Sequence, residues 1–277
     1  MTYERKIEFA IDLLRSIPQD GGPIEVSYSG GKDSDVILEL AKMAGIPFEA
    51  IYKQTTIDPP GTTSHAKAMG ATIIRPKHTF LELVARKGLP SRERRFCCEV
   101  LKEYRVYDRA IQGIRRSEST KLAKLYKEPE MCRTYSNGDK VRVYYPILDW
   151  TDEDVERFIR ERGIKCAPVY YNADGSFHVE RRLGCLGCPL KSNKGLFDFK
   201  KYPKLLKAEI SAYQKWLDNH PGSDRNGVLR GKAYNAFFLV LFCKSKDDYI
   251  AKTTGGLFPE TAVDTKQFLE DYFQIEL

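Results

Sequence analysis

The sequence predicts an α/β fold, a parallel sheet with helices on both faces, followed by a helical C-terminal region. Three observations carry this expectation. Short strand-like stretches alternate with amphipathic helical stretches through the first half of the chain. A glycine-rich hexapeptide, Ser29-Gly30-Gly31-Lys32-Asp33-Ser34, lies directly between one such strand and the next helix. Beyond Pro189 the character changes to long helical stretches rich in lysine and aromatics.

Tyr3–Ile17 places Ile7, Ala10, Ile11 and Leu14 at helical spacing, and the run Gln19–Pro23 ends it. Ile24–Tyr28 reads as a strand that feeds the hexapeptide. The helix after it carries Val36, Ile37, Leu40 and Met43 on one face and is closed by Gly45-Ile46-Pro47. Phe48–Tyr52 is the second strand, a helix follows around His65–Met69, Ala71–Ile74 is the third strand, and another helix runs around Thr79–Lys87. Tyr107–Gln112 predicts a further strand ending at Gly113. Tyr144–Leu148 leads to Thr151, which pairs with Asp154 as a cap for the helix Asp152–Arg162, and Gly163 stops that helix. Phe197–Leu217 and Tyr234–Phe242 read as the main helices of the tail. The expected division is a nucleotide-binding α/β domain over 1–165, then a cysteine-bearing loop and helical region over 166–277.

Composition narrows the class. The 277 residues, 42% hydrophobic and 30% charged, suffice for a full core and exclude a disordered polymer. The longest apolar run, Ala236–Cys243, is far short of the ~20 residues that cross a bilayer. The N-terminus lacks the apolar stretch of a signal peptide, so the expectation is a cytoplasmic chain with no membrane partner. Seven cysteines, with Cys97 adjacent to Cys98 and Cys185 three before Cys188, point to metal or redox chemistry before disulfides. The net charge of +7 favours anionic partners, among them nucleotides, nucleic acid and acidic proteins.

Between a strand and a helix, Ser29–Ser34 has the parts of a phosphate cradle. Glycines let the backbone approach a phosphate, and the helix N-terminus offers unpaired N–H groups and a favourable dipole. Ser29 and Ser34 add hydroxyls, Lys32 a point charge, and Asp33 a carboxylate for Mg²⁺. The plainer alternative is a polar glycine turn facing water. The loop is not a Walker A sequence, which needs G-x-x-x-x-G-K-[ST]. It resembles the PP-loop of the N-type ATP pyrophosphatases, the adenine nucleotide alpha-hydrolase superfamily. That resemblance implies ATP as ligand, an adenylylated intermediate and release of pyrophosphate.

The segment Gly113-Ile114-Arg115-Arg116-Ser117-Glu118-Ser119 follows a predicted strand and so belongs at the carboxyl edge of the sheet, where open parallel sheets bind ligands. Arg115 and Arg116 either clamp the α-phosphate or form a solvated surface pair. This stretch resembles the G-[IV]-R-x-x-E-S signature of proteins related to phosphoadenosine phosphosulfate (PAPS) reductase. Thr55–Pro60 is similar to that family's adenosine-contacting segment, which implies nucleotide contacts from Thr56 and Asp58. The family usually has an arginine shortly after the E-S pair, where this chain has Lys121 and Lys124.

Cys185-x-x-Cys188 spans one tight turn and can present two thiolates to one metal, with Cys97 and Cys98 either joining it or packing as core thiols. The arrangement resembles the [4Fe–4S] site of the adenylylsulfate and PAPS reductases and of their relatives in DNA phosphorothioation, which implies Cys97, Cys98, Cys185 and Cys188 as ligands. A structural Zn²⁺ is the alternative. Pro146–Thr151 and Arg182–Cys185 also resemble that family.

Two departures redirect the functional expectation. The reductases carry a redox cysteine in a Glu-Cys-Gly-x-His motif, and no such motif occurs here. Their phosphate loop is degenerate, whereas SGGKDS is the intact ATP-cleaving form. The resemblance therefore implies an ATP-dependent sulfur-transfer enzyme, using a cysteine desulfurase-type donor, with nucleic acid as an acceptor. Its rivals are a sulfonucleotide reductase using an external thiol and a non-catalytic nucleotide sensor with a structural metal. Lys191, Lys194, Lys200, Lys201, Lys204 and Lys207, interleaved with Phe197, Phe199 and Tyr202, read equally as a nucleic-acid surface or as a solvated helix with core aromatics.

Overall fold

A computed structural model describes the whole chain apart from residues 136, 137, 139, 223–228 and 257. The chain divides into two compact units, one of Met1–Pro76 with Cys98–Gly184, the other of Lys77–Cys97 with Cys185–Leu277.

The first unit holds the sheet. Helix α1 (Tyr3–Arg15) leads to β1 (Ile24–Tyr28), α2 (Lys32–Ala44), β2 (Phe48–Lys53), α3 (Thr62–Ala68) and β3 (Thr72–Ile74). The chain then contributes α4 (Phe80–Lys87) to the second unit and crosses back through α5 (Phe96–Leu101). The sheet resumes with β4 (Arg109–Ile111), α6 (Thr120–Leu125), β5 (Glu130–Thr134), β6 (Lys140–Tyr144) and α7 (Asp152–Arg162). Six strands lie in the order β3-β2-β1-β4-β6-β5. All neighbours are parallel except the β5–β6 pair, which is antiparallel.

β1 is central, and four of its five residues are buried. A strand covered on both faces is expected to read as a continuous run rather than an alternation. Ile24 and Val26, both fully buried, join Val36, Ile37 and Leu40 of α2 and Val155 and Phe158 of α7 in the main core. Each such side chain contributes about 1.5–3 kcal/mol by leaving water. The strand order reverses direction between β1 and β4, so the loops after these two strands diverge and open a crevice at the carboxyl edge.

The predicted helix Asp152–Arg162 is observed with its cap. Thr151 and Asp154 form a reciprocal capping box, and Gly163 takes the left-handed conformation at the C-cap. The hairpin β5–β6 was not expected. The long helix expected over Phe197–Leu217 is broken at Tyr202–Pro203 into α8 (Leu196–Lys201) and α9 (Pro203–Asn219), because proline lacks the N–H that would continue the first helix. Helices α10 (Ala233–Phe242), α11 (Lys246–Thr254) and α12 (Thr265–Phe273) complete the second unit. The unit boundary falls after Gly184 rather than at residue 165, and 77–97 joins the second unit because α4 packs on α9. No helix among the described residues is long and apolar enough to cross a membrane.

Candidate nucleotide site

The hexapeptide closes the turn from β1 into α2 and is stitched by its own hydroxyls. Ser34 Oγ donates to the Gly31 carbonyl at 2.7 Å, and the Gly31 N–H donates to Ser29 Oγ at 3.3 Å. Gly30 has φ +77°, and a Cβ there would lie 2.8 Å from Thr62 Cγ2, so the position demands glycine twice over. Gly31 is the N-cap of the 13-residue α2, with no side chain capping its first turn. The loop therefore presents helix N–H groups outward, as anion binding requires.

These residues line a polar cavity of about 360 Å³, walled by Ser29, Gly31–Ser34, Gly113, Tyr170 and Arg182 among others. Lys32 is only 4% exposed, and its ammonium lies 3.1 Å from Asp33 Oδ2 and 5.7 Å from the centre of the Tyr170 ring. Burial raises the Tyr170 pKa, against the opposing pull of the Lys32 and Leu183 backbone groups, so its hydroxyl stays protonated. Gly113 brings the β4 loop against the first turn of α2: a Cβ there would lie 2.8 Å from the Asp33 carbonyl oxygen.

Arg115 is held by partners within the protein. Its guanidinium is 2% exposed and fully engaged: Nε donates to Asp33 Oδ1 at 2.7 Å, Nη2 to Asp152 Oδ1 at 2.8 Å and Nη1 to Ser117 Oγ at 3.1 Å. Burial alone would lower its pKa, but Asp33, Asp152 and Glu118 hold it above the ordinary value. Arg116 binds the Tyr126 carbonyl at 2.8 Å, the Lys127 carbonyl and Asp149. Neither guanidinium lines the loop cavity. Arg115 holds Asp33, whose two oxygens contact Arg115 and Lys32 on the wall of the cavity. Arg182 also lines the cavity and donates to the Glu118 carbonyl at 3.0 Å. The sequence pattern around Arg182–Cys185 marked this segment without assigning the arginine to the phosphate side.

Thr56 and Asp58 lie on the loop after β2. Asp58 accepts from the Thr55 N–H and the Thr55 hydroxyl, both at 2.7 Å. Thr56 is exposed at φ +66°, a conformation that a β-branched residue adopts only under constraint and that is typical of strained functional loops. Beneath the phosphate loop lies a cluster that the sequence did not signal. Buried Asp35 accepts from the Tyr28 hydroxyl and contacts His65 Nε2 at 3.0 Å, tying β1, α2 and α3 together. Burial, then Asp35, raises the pKa of Cys166, which makes it a packing thiol.

Of the four candidate ligand cysteines, Cys98 belongs to the first unit and Cys97, Cys185 and Cys188 to the second, all partly buried. Cys185–Cys188 forms a turn with Gly187 at φ +64°, whose N–H donates to Asp198 Oδ2 at 3.0 Å. Among the described residues no three His, Cys, Asp or Glu side chains are arranged to hold a metal ion. The ligand set is carried by the sequence pattern alone. In the basic tail, Phe199 is buried against Phe237, Lys191 pairs with Asp198 at 2.6 Å, and Lys194 donates to the Val240 carbonyl at 2.7 Å. Lys200 stands over Tyr272 and Lys201 over Tyr202. Of the three aromatics Phe199 is buried, whereas Phe197 is 70% exposed.

The sequence profile of the phosphoadenosine phosphosulfate reductase domain matches residues 23–191. An uncharacterized protein of Methanocaldococcus jannaschii is 30% identical over 227 residues, 75% of this chain and 50% of that protein. Sulfate adenylyltransferase subunit 2 of Shewanella frigidimarina is 26% identical over 209 residues, 59% of this chain and 65% of that subunit. The chain thus spans about half the length of the first relative and under two thirds of the second. A crystal structure of PAPS reductase from Candida auris, in complex with phosphate, is 16% identical with a TM-score of 0.42, over 60% of this chain and 82% of that one.

Proposed function

Because the chain belongs to the phosphoadenosine phosphosulfate reductase domain family, we propose that it binds MgATP at Ser29–Ser34 and cleaves it between the α- and β-phosphates, adenylylating an acceptor for sulfur transfer. The observation that carries this reading is the intact loop, with buried Lys32 and the N-terminus of α2, on the wall of a polar 360 Å³ cavity.

An acceptor oxygen attacks the α-phosphorus, and the bond from that phosphorus to the bridging oxygen breaks. Pyrophosphate leaves with the electron pair. The charge that develops on it faces the loop N–H groups and Lys32, which stabilise the leaving group more than the bound ATP. Arg115 keeps Asp33 beside Lys32, and Asp33 fixes the direction of the ammonium. Arg182 supplies a second cation on the cavity lining. Thr56 and Asp58 stand on the adenosine side, with Gly113 beneath the α-phosphate. In the second half-reaction the outer sulfur of a persulfide on a cysteine desulfurase-type donor attacks the activated acceptor and displaces AMP. An external dithiol then reduces the resulting disulfide link to free the thiolated product, with nucleic acid as the acceptor class proposed. Mg²⁺ arrives with the triphosphate.

The test is incubation of purified protein with α-labelled ATP, sulfur donor and candidate acceptors. Labelled AMP and equimolar pyrophosphate are expected, and their absence in every combination overturns the reading. The family match also favours a second activity, reduction of a sulfonucleotide by an external thiol, which would release sulfite instead. An iron–sulfur cluster at Cys97, Cys98, Cys185 and Cys188 is part of the proposal. Anaerobic purification is expected to yield about four irons per chain. One zinc in a colourless protein would assign those thiols a structural role.

A further inference from the structure

The net charge of +7 is not shared between the two units. The sheet unit, 1–76 with 98–184, has 25 Lys and Arg and 25 Asp and Glu, whereas the second unit, 77–97 with 185–277, has 20 against 13. The first is neutral, and the whole excess belongs to the second. Ion pairs inside a unit, such as Lys191 with Asp198, remove one charge of each sign and leave that excess unchanged. A unit charged in this way attracts and holds polyanions.

The same unit contains a cavity of about 270 Å³ between the loop after α4 and the helices α9 and α10. Trp216, Leu239 and Val240 give it an apolar wall, and Ser91, Arg94 and Lys246 add polar groups. Among the described residues that line it there is no Asp or Glu. The indole is fixed by its neighbours. It stacks on Tyr213 and His220 with ring centroids 5.6 and 4.7 Å away, and Gly88 packs against it, where a Cβ would lie 3.2 Å from Cε2. Arg94 is exposed; its guanidinium lies 5.6 Å from the centre of the Phe96 ring, and its backbone N–H donates to Ser91 Oγ at 3.1 Å. Neither contact neutralises its charge. The cavity is smaller than sites that enclose a drug-sized molecule, so it suits a single ring system. Tryptophan and arginine are the side chains that hold planar rings best. A flat ring that brings anions with it matches both the wall and the charge of the unit around it. A run of carboxylates matches only the charge.

We propose that the second unit holds a single-stranded nucleic acid, with one unstacked base in this cavity beside the Trp216 indole and a flanking phosphate on Arg94. The inference deepens the proposed function by giving the acceptor strand a binding surface, and it rests on nucleic acid being the acceptor class. It requires no turnover. The assay with α-labelled ATP reads adenylylation separately, so failure of strand binding leaves that reaction standing.

The experiment is fluorescence anisotropy of the full chain with a labelled single-stranded oligonucleotide, without ATP and over a range of salt. The oligonucleotide is expected to bind at least about fivefold more tightly than an abasic strand of the same length, the contribution of one stacked base. Val240→Phe, at a position 41% exposed on the cavity wall, fills the cavity from its outer side and is expected to remove that difference. Arg94→Gln is expected to weaken oligonucleotide binding about three- to tenfold. It should also lower the slope of log affinity against log salt by about 0.7, the value of one phosphate contact on a single strand. Tryptophan emission gives a second measurement. Of the two tryptophans, Trp150 is 1% exposed in the sheet unit, so quenching by the oligonucleotide that disappears in Trp216→Phe places the base at the cavity. Equal affinity of wild type for the oligonucleotide and the abasic strand would overturn the proposal, as would a difference that survives in Val240→Phe. AMP binding as tightly as the oligonucleotide would make the cavity a mononucleotide site and overturn the strand. Polyglutamate competing as well as the unlabelled oligonucleotide would make the unit a surface for acidic protein, with the same consequence.

Discussion

Lys32 and Gly113 carry opposite kinds of information about the site. Lys32 was legible because a lysine in a glycine loop before a helix has few other uses, and it is found buried on the cavity wall. Lys32→Ala is expected to lower pyrophosphate release about 10²- to 10³-fold, the usual cost of one electrostatic donor at a developing charge, and to weaken ATP binding in equilibrium dialysis. Gly113 was legible as the strand end that opens a nucleotide-side segment, but not as a point of backbone contact. Its function is close approach, since a Cβ would lie 2.8 Å from the Asp33 carbonyl oxygen and 3.0 Å from the carbonyl carbon. The obstacle is backbone, so Gly113→Ala displaces the first turn of α2. Overpacking of this kind costs about 1–3 kcal/mol, which thermal unfolding reads as a lower midpoint, accompanied by weaker ATP binding. Arg115 marks the boundary of what a sequence reveals. Its nearness to the loop was readable, but its partners Asp33 and Asp152 are 82 and 37 positions away. Only the fold shows that Arg115 also braces Asp33.

At the scale of elements, local signals were sufficient where the physics is local. The α7 cap is an example: Thr151, Asp154 and Gly163 specify start and stop within the segment itself. Asp154 also pairs with Lys6 of α1 at 2.5 Å, with both side chains mostly buried. Burial opposes ionisation, but Lys6 and the Thr151 N–H outweigh it and hold the Asp154 pKa below the ordinary 3.8. A carboxylate whose folded pKa is depressed stabilises the fold above the unfolded value, and that contribution is lost as pH falls through the folded one. Asp154→Ala is therefore expected to cost about 1–2 kcal/mol at neutral pH. The difference from wild type should shrink in urea titrations taken progressively below pH 3.8. A deficit that stayed constant down to low pH would mean that the charge is not the source. The hairpin β5–β6 escaped for the complementary reason. In Glu130–Thr134 alternate residues are exposed, and the strand sits at the sheet edge, so its pattern is too polar to stand out from a loop. Its identity comes from pairing with β6, which no local window contains.

At the scale of the molecule, the sequence reads as two consecutive blocks, whereas the second unit is assembled from 77–97 and 185–277. The strand–helix alternation runs smoothly through α4, so nothing in composition marks it as belonging elsewhere. What decides its membership is its apolar face. Phe80, Leu83 and Val84 are buried, and α4 packs along α9, with Gly88 at its C-cap set against the Trp216 indole. Each of those three side chains is stabilised by about 1.5–3 kcal/mol through burial, and a chain cut after Gly184 would return that face to water. Such a truncation is expected to bind a hydrophobic dye strongly and to self-associate in sedimentation, although the sheet unit retains all six strands. Replacing Leu83 and Val84 by glutamine in the truncated chain should suppress both signals, while the same pair in the full chain should destabilise it. A truncated protein that stayed monomeric and silent to the dye would mean that the cover of α4 lies within the sheet unit itself.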